Sequence, residues 1–206
     1  MPRLRRSFIK VGSDLGIDFA NLRGVDGDPA GGLGSWRDLL DFLELHEAVS
    51  RSEGRALRAM AERDARGCEA ALDQARSLRQ TVRDVVSTLS RRRALQAQWI
   101  AAVNQALAWG AGWPRLERGA DGWQPGFVPA CEEPVRALAP IARAVADLIA
   151  RGRGEAIRRC ANPRCSLYFR DRSRGRRRRW CSMAVCGNRM KVAAHARRHG
   201  RRRPSP

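Results

Sequence analysis

Beyond residue 150 this 206-residue sequence contains almost no acid. Only Glu155 and Asp171 oppose 19 Lys and Arg there, whereas residues 1–150 set 21 Lys and Arg against 19 Asp and Glu. Nearly all of the formal net charge of +19 therefore lies in the last quarter of the chain. Such a block cannot neutralise itself, and it repels itself without a polyanion beside it. Nucleic acid is the first partner to consider and an anionic membrane surface the second. Long apolar runs are also missing. The most apolar stretch, Ala137 to Ala150, is broken by Pro140, Arg143 and Asp147, and falls short of the roughly 18 apolar residues of a membrane span. The basic opening is interrupted by Lys10, Ser13 and Asp14 before any apolar run long enough for a signal peptide. The expectation is a soluble cytoplasmic protein, nucleoid-associated when bound to DNA, with no membrane partner.

Catalytic signatures are equally scarce. The glycine-rich stretch Gly24 to Gly34 has no Gly-Lys-Ser/Thr behind it and no apolar strand directly feeding it, so it reads as a loop rather than a phosphate cradle. His195 and His199 stand i, i+4, but Ala-Arg-Arg lies between them, without the Glu of a metallopeptidase helix; they read as surface groups on a basic helix. No nucleophile–base motif appears, and Asp18 with Asn21 is at best a weak polar pair. No catalytic residue is assigned, and an enzyme is the least favoured class.

What is present is a chain with 43% hydrophobic and 30% charged residues, enough to bury a core over one ordinary domain plus a small module. Apolar–polar alternation over residues 7–23, with Phe8, Val11, Ile17 and Phe19, predicts a short β-hairpin. Ser35 is placed to cap a helix carrying Trp36, Leu39, Leu40 and Leu43. A second helix is expected near Gly54, with His46 on a helix surface. A longer helix over 67–90 aligns Cys68, Leu72, Ala75, Leu78, Val82, Val85 and Leu89, and another over 92–109 carries Leu95, Trp99, Val103 and Ala106. Trp113 to Val128 reads as a hairpin turning at Gly119–Gly122. Pro134 then opens a helix with Val135, Leu138, Ala142, Val145 and Ile149, ended by Gly152 and Gly154. The fold class is α+β, mainly α: a helical domain over 1–153 with short β-hairpins, a four-cysteine finger over 154–200, and a disordered basic tail over 201–206.

Cys160, Cys165, Cys181 and Cys186 are spaced C-x4-C-x15-C-x4-C. Zn2+ takes four thiolates tetrahedrally with sulfur about 2.3 Å away, and two short cysteine loops supply that arrangement. A span of 27 residues buries too little surface to fold alone, so the metal would contribute the missing free energy, on the order of 10 kcal/mol apparent. Four cysteines leave no open coordination position, which makes the site structural rather than hydrolytic. Unmetallated thiols in a tail and a zinc-coupled redox switch are the other readings of the spacing. Arg159, Arg164 and Arg179 beside the ligands offset the negative charge of a four-thiolate site. Cys68 reads as a small core residue, and Cys131 sits at a helix entry.

The residues around these cysteines, Arg159-Cys160-Ala161-Asn162-Pro163-Arg164-Cys165, Phe169, Asp171, Ser173, Arg178-Arg179-Trp180-Cys181-Ser182-Met183 and Cys186-Gly187-Asn188-Arg189, resemble the CGNR zinc-finger family over roughly 155–199. Phe8 to Gly12 and Leu15 to Asn21 resemble the opening of the ABATE-type region that precedes this finger in the family. Leu22 and the pair Leu167-Tyr168 depart from the family pattern. The family is described as stress-induced transcriptional regulators. The resemblance implies zinc at Cys160, Cys165, Cys181 and Cys186, and DNA binding by the finger.

Within the finger, Leu167 to Arg170 is expected as a short strand and Cys186 as the start of a helix to about His199, with Gly187 at a tight turn. On that helix Asn188, Lys191, His195 and Arg198, continued by Arg202, fall on one arc. Asn pairs with adenine and Arg or Lys with guanine in the major groove, so this polar stripe with Arg189 is the candidate reader, the other reading being a solvated basic face. Arg176, Arg177, Arg178 and Arg179 are the candidate phosphate contacts, because the planar guanidinium fork suits phosphate oxygens. Tyr168 and Trp180 are expected in the finger's small core rather than stacked on bases. Double-stranded DNA is the expected partner, with RNA as the alternative. The N-terminal domain is left to homo-oligomerisation or to an unidentified small-molecule effector.

Overall fold

The computed structural model describes residues 14–22, 32–119, 122–152 and 156–200, without the side chains of 198–200. Its axis is α4 (Ala65–Ser90), capped by Asp64, whose Oδ1 accepts from the Gly67 amide at 2.8 Å. The stripe Cys68, Leu72, Ala75, Leu78, Val82 and Val85 is buried along it, and the other helices pack around that stripe because each has one apolar face to cover. Before it come α1 (Leu15–Ala20), α2 (Trp36–Leu45) and α3 (Arg51–Arg63); after it come α5 (Ala97–Ala108) and α6 (Ala139–Arg151). Ser35 caps α2 as its sequence suggests, accepting from the Asp38 amide at 3.2 Å. Trp36, Leu39, Leu40 and Leu43 are all buried.

Three helix starts differ from expectation. The predicted β-hairpin over 7–23 is, in its described part, the helix α1. Asp14 caps it by accepting from the Ile17 amide at 3.2 Å, and residues 16–20 are buried on every side. A short helix wedged into a core shows no helical period, since no face of it meets water. Residues 7–13, residue 23 and positions 24–31 of the glycine-rich loop lie outside the described residues, as does the tail from 201. Helix α3 begins at Arg51 rather than Gly54. Ser50 and Glu53 there form a reciprocal capping box that satisfies two amides at once. Helix α5 begins only at Ala97, after a turn in which Arg92 adopts φ 55° and so cannot continue a right-handed helix.

Strands β1 (Gly112–Gly119) and β2 (Gly122–Pro129) form the expected antiparallel hairpin, Trp113 opposite Val128 and Gly119 opposite Gly122. A single 3₁₀ stretch, Pro134–Leu138, leads into α6, which ends at Gly152 in the left-handed region, φ 57°.

The C-terminal part holds β3 (Ile157–Arg159), paired antiparallel with β4 (Tyr168–Arg170), then one π-turn, Met183–Gly187, and α7 (Asn188–Gly200). This ribbon is built into the helical body. Ile157 and Tyr168 belong to the large hydrophobic core with α1, α4 and α6, so Tyr168 is not the finger-core residue its position predicts. The buried Asn21 holds the ribbon by its backbone: its Nδ2 donates to the Tyr168 carbonyl and its Oδ1 accepts from the Tyr168 amide, both at 2.8 Å. Arg170 pairs with Asp14 at the cap of α1. From α4, Arg79 and Arg83 donate to the Leu22 and Ala20 carbonyls at 2.8 and 3.2 Å, receiving the end of α1. His46 is likewise not a surface residue. Its side chain is 3% exposed, with Nε2 3.8 Å from Oδ2 of the buried Asp18 and its ring 4.6 Å from that of Phe42.

Candidate metal centre

Backbone hydrogen bonds fix three of the four cysteines, and the amide of the fourth, Cys181, faces a sulfur. Cys160 follows β3 and its amide donates to the Leu167 carbonyl at 2.9 Å; Cys165 precedes β4 and donates to the Asn162 carbonyl at 2.9 Å. Of the second pair, Cys181 precedes the π-turn and Cys186 lies within it, its amide donating to the Ser182 carbonyl at 3.0 Å. Helix α7 therefore begins two residues after Cys186, and the cysteine lies in a widened turn rather than in the first turn of the α-helix. Gly187 sits there against the Met183 side chain. Its φ is not in the left-handed region, but a Cβ would run into the Met183 sulfur.

The turns converge. All four Sγ atoms lie within 4.8 Å of one another and all four residues are buried. The Cys165–Cys181 and Cys181–Cys186 sulfur separations are 3.8 and 3.6 Å. A tetrahedral ion with sulfur at about 2.3 Å requires edges of about 3.8 Å, so the sulfur cage has the right size. Its second layer is in place as well. Asn162, buried, donates from Nδ2 to Cys186 Sγ at 3.3 Å and fixes its own orientation by accepting from the Arg164 amide at 3.1 Å. The Cys181 amide faces Cys160 Sγ at 3.5 Å. Burial raises the thiol pKa of Cys165 and, reinforced by the other sulfurs, that of Cys181 most strongly. At Cys160 burial also opposes ionisation, but the Cys181 and Asn162 amides outweigh it and lower the pKa. Four buried thiols this close cannot all ionise without a cation among them. The donor set thus fits a soft, tetrahedral metal ion.

Beyond its anchorage to the helical body through Ile157, Tyr168 and Arg170, this part has little core of its own. Its own core is the four cysteines with Leu167 and Phe169, against which Trp180 packs half-buried. Phe169 also receives the Arg178 guanidinium over its ring at 4.6 Å.

The arginine loop between the cysteine pairs is organised by Asp171, a residue that composition marks only as one of two acids. Its Oδ1 accepts from the Ser173 amide at 3.0 Å and hydroxyl at 2.6 Å, its Oδ2 from the Arg178 amide at 3.0 Å, and Arg158 Nε lies 3.3 Å away. Burial alone would raise its pKa, but these donors and the Arg158 charge prevail and hold it below the usual carboxylate value. The loop then turns through Gly175 and Arg176 at φ 83° and 50°, and the Arg176 carbonyl accepts from Arg158 at 2.6 Å. Arg176, Arg177 and Arg179 project into solvent. Arg178 is turned inward, donating to the Trp180 carbonyl at 2.9 Å and to that of Cys181. On α7, Asn188, Arg189, Lys191 and His195 are all exposed, and the Arg198 side chain lies outside the described residues.

The structural roles of Asn162, Asp171 and Asn21 are absent from the sequence reading. Asn162-Pro163 and Asp171-x-Ser173 carry a turn signal that points to the first two. Asn21 carries none, because its partner is 147 positions away.

Helical body, sulfur cage and arginine loop together describe a metal-binding finger carried on an α-helical domain. Comparison with known families agrees. Residues 156–199 match the CGNR zinc finger, and residues 13–152 match ABATE, described as "Putative stress-induced transcription regulator". The latter match spans well over half of the chain, which belongs to the ABATE family and carries a CGNR zinc finger after that domain. No curated protein matches the chain. No helix among the described residues is long and apolar enough to cross a membrane.

Proposed function

We propose that the chain is a zinc-dependent, DNA-binding regulator of transcription that acts by binding rather than catalysis, in the cytoplasm. The convergence of four buried sulfurs beneath an exposed arginine loop carries this reading. Zinc held by Cys160, Cys165, Cys181 and Cys186 would cross-link the two knuckles and favour their thiolates. The chain's own residues do the rest. Asn162 orients Cys186, and Asp171 holds the loop from which the exposed Arg176, Arg177 and Arg179 project, Arg179 over the Trp180 ring. Duplex phosphates are the ligand these side chains suit, because the guanidinium fork meets phosphate oxygens without needing base-specific geometry. Arg178 braces the loop from behind. The exposed stripe of Asn188, Lys191 and His195, with Arg189 beside it and Arg198 further along, is the surface offered to base edges.

The Asn21 clamp gives the helical body a route to this surface. The ribbon that carries Cys160 and Cys165 is fixed at Tyr168, so a change around α1 moves the finger's footing.

Selection from a randomised duplex pool, with and without chelator and with structured RNA as competitor, tests the proposal. Enrichment of duplex sequences that disappears on chelation is expected, with log K falling against log salt at a slope of about −5 if roughly six phosphates are engaged. Arg176→Ala with Arg177→Ala should flatten that slope by about one to two units. Preference for the RNA competitor would overturn the DNA assignment, and an unaltered slope would overturn the phosphate role of Arg176 and Arg177.

A further inference from the structure

Four of the eight large apolar side chains exposed among the described residues lie on the β1–β2 hairpin, although it has only 16 strand residues. The register sorts them. Pro114 faces Phe127, Leu116 faces Pro125 and Arg118 faces Trp123, so these six share one side of the ribbon. Every one of them is exposed, with Leu116 69%, Trp123 70% and Phe127 53% accessible. On the opposite side Glu117, Gly126 and Val128 are half-buried, between Trp113 and Gln124. One face of the ribbon is thus bare and, apart from Arg118, apolar. A two-stranded hairpin is at best marginally stable in water without a covering layer.

We infer that this face is the contact between two copies of the chain, packed ribbon on ribbon about a two-fold axis through the Leu116–Pro125 pair. Charge and area select a second copy. The face carries a single charge, Arg118, near the turn. In an antiparallel arrangement the two Arg118 side chains lie at opposite ends of the contact, and each Trp123 meets the Pro114–Phe127 end of the other ribbon. A nucleic acid would find one cation here, whereas it finds many on the finger. Edge-to-edge pairing is discouraged by Pro114, Pro125 and Pro129, which cannot donate to a further strand. The six side chains offer on the order of 500 Å² per copy, so a pair removes about 1,000 Å² from water, the lower end for a specific interface. Such a contact would set two fingers on one assembly.

Sedimentation equilibrium of the full zinc-loaded chain, without DNA, from about 1 to 200 μM should show reversible monomer–dimer exchange. Leu116→Glu with Trp123→Ser should leave only monomer across that range, with the far-ultraviolet dichroism and melting temperature of the helical body unchanged. Hydrogen exchange of the wild-type chain needs no variant: amides of 112–119 and 122–129 should gain protection as concentration rises. A wild-type monomer at the highest concentration, a dimer that survives the double substitution, or protection arising only elsewhere would each overturn the inference. None of these outcomes bears on DNA binding by the finger.

Discussion

The helical body and the finger solve the problem of staying folded in opposite ways. The body, residues 14–152, stacks side chains from six helices into one core in which Phe19, Phe42, Leu72, Leu138, Ile141 and Leu148 are fully enclosed. The finger, residues 156–200, has as its own core little beyond Leu167, Phe169 and four sulfurs, its Ile157 and Tyr168 being lent to the core of the body. The first arrangement draws its free energy from apolar area and survives small losses. The second has too little area of its own for that, and an ion held among its sulfurs would supply what is missing. The difference also explains the charge. A core that needs no polyanion is nearly neutral overall, while a metal-held module can carry a dense positive loop, because its fold does not rest on balancing those charges.

The largest break in this contrast should come from the sulfurs. Removing the metal with a chelator, or Cys181→Ser, deletes a contribution on the order of 10 kcal/mol. The finger should unfold: calorimetry should lose one transition, and Trp180 fluorescence should red-shift, while the helical dichroism of the body persists. Loss of the body as well would show that Ile157 and Tyr168 make the two regions one cooperative unit rather than two differently held ones.

How much of this was legible beforehand follows the same division. Long amphipathic helices announce themselves because one face is wet, so the stripes of α2, α4 and α6 and the glycine turn of the β1–β2 hairpin stand in the sequence. The cysteine spacing is legible for another reason: a tetrahedral ion restricts which short loops can reach it. Helix α1 is hidden because it is buried all round. Its alternating Ile17 and Phe19 imitate a strand, and only Asp14 hints at a cap. The burial of His46 and the clamp of Asn21 on Tyr168 depend on partners far along the chain, which no local pattern encodes. The π-turn at Cys186 is equally silent, since it is set by the sulfurs' convergence and by the close approach of Met183 to Gly187.

A smaller effect, at the junction itself, tests how rigidly the two regions are joined. Asn21→Ala strips partners from both the amide and the carbonyl of the buried Tyr168. Leaving such groups unpaired costs about 3 kcal/mol, which in a chain of this length lowers the melting temperature by about 10 °C. Metal content should not change, because Asn21 touches none of the four sulfurs. A thermal scan with parallel zinc quantification reads both, and loss of zinc together with stability would mean that the ribbon cannot form its knuckle without the body.

The smallest effect belongs to Asp171, whose folded pKa lies below its ordinary value. For a depressed carboxylate the stabilisation is complete above its unfolded pKa of about 3.9 and is lost as pH falls through the lower folded value. Between about pH 5 and 8, therefore, the Ser173 and Arg178 amides that donate to Asp171 should keep a constant protection against hydrogen exchange once intrinsic rates are corrected. Asp171→Asn should speed their exchange by about tenfold at neutral pH, with bound zinc unchanged, because the cage does not use this carboxylate. Proton uptake by the thiols releases metal on the acid side, so the substitution at neutral pH, rather than acidification of the wild-type chain, separates loop order from metal binding. Unaltered exchange at both amides would mean that the arginine loop is shaped by the two cysteine pairs alone.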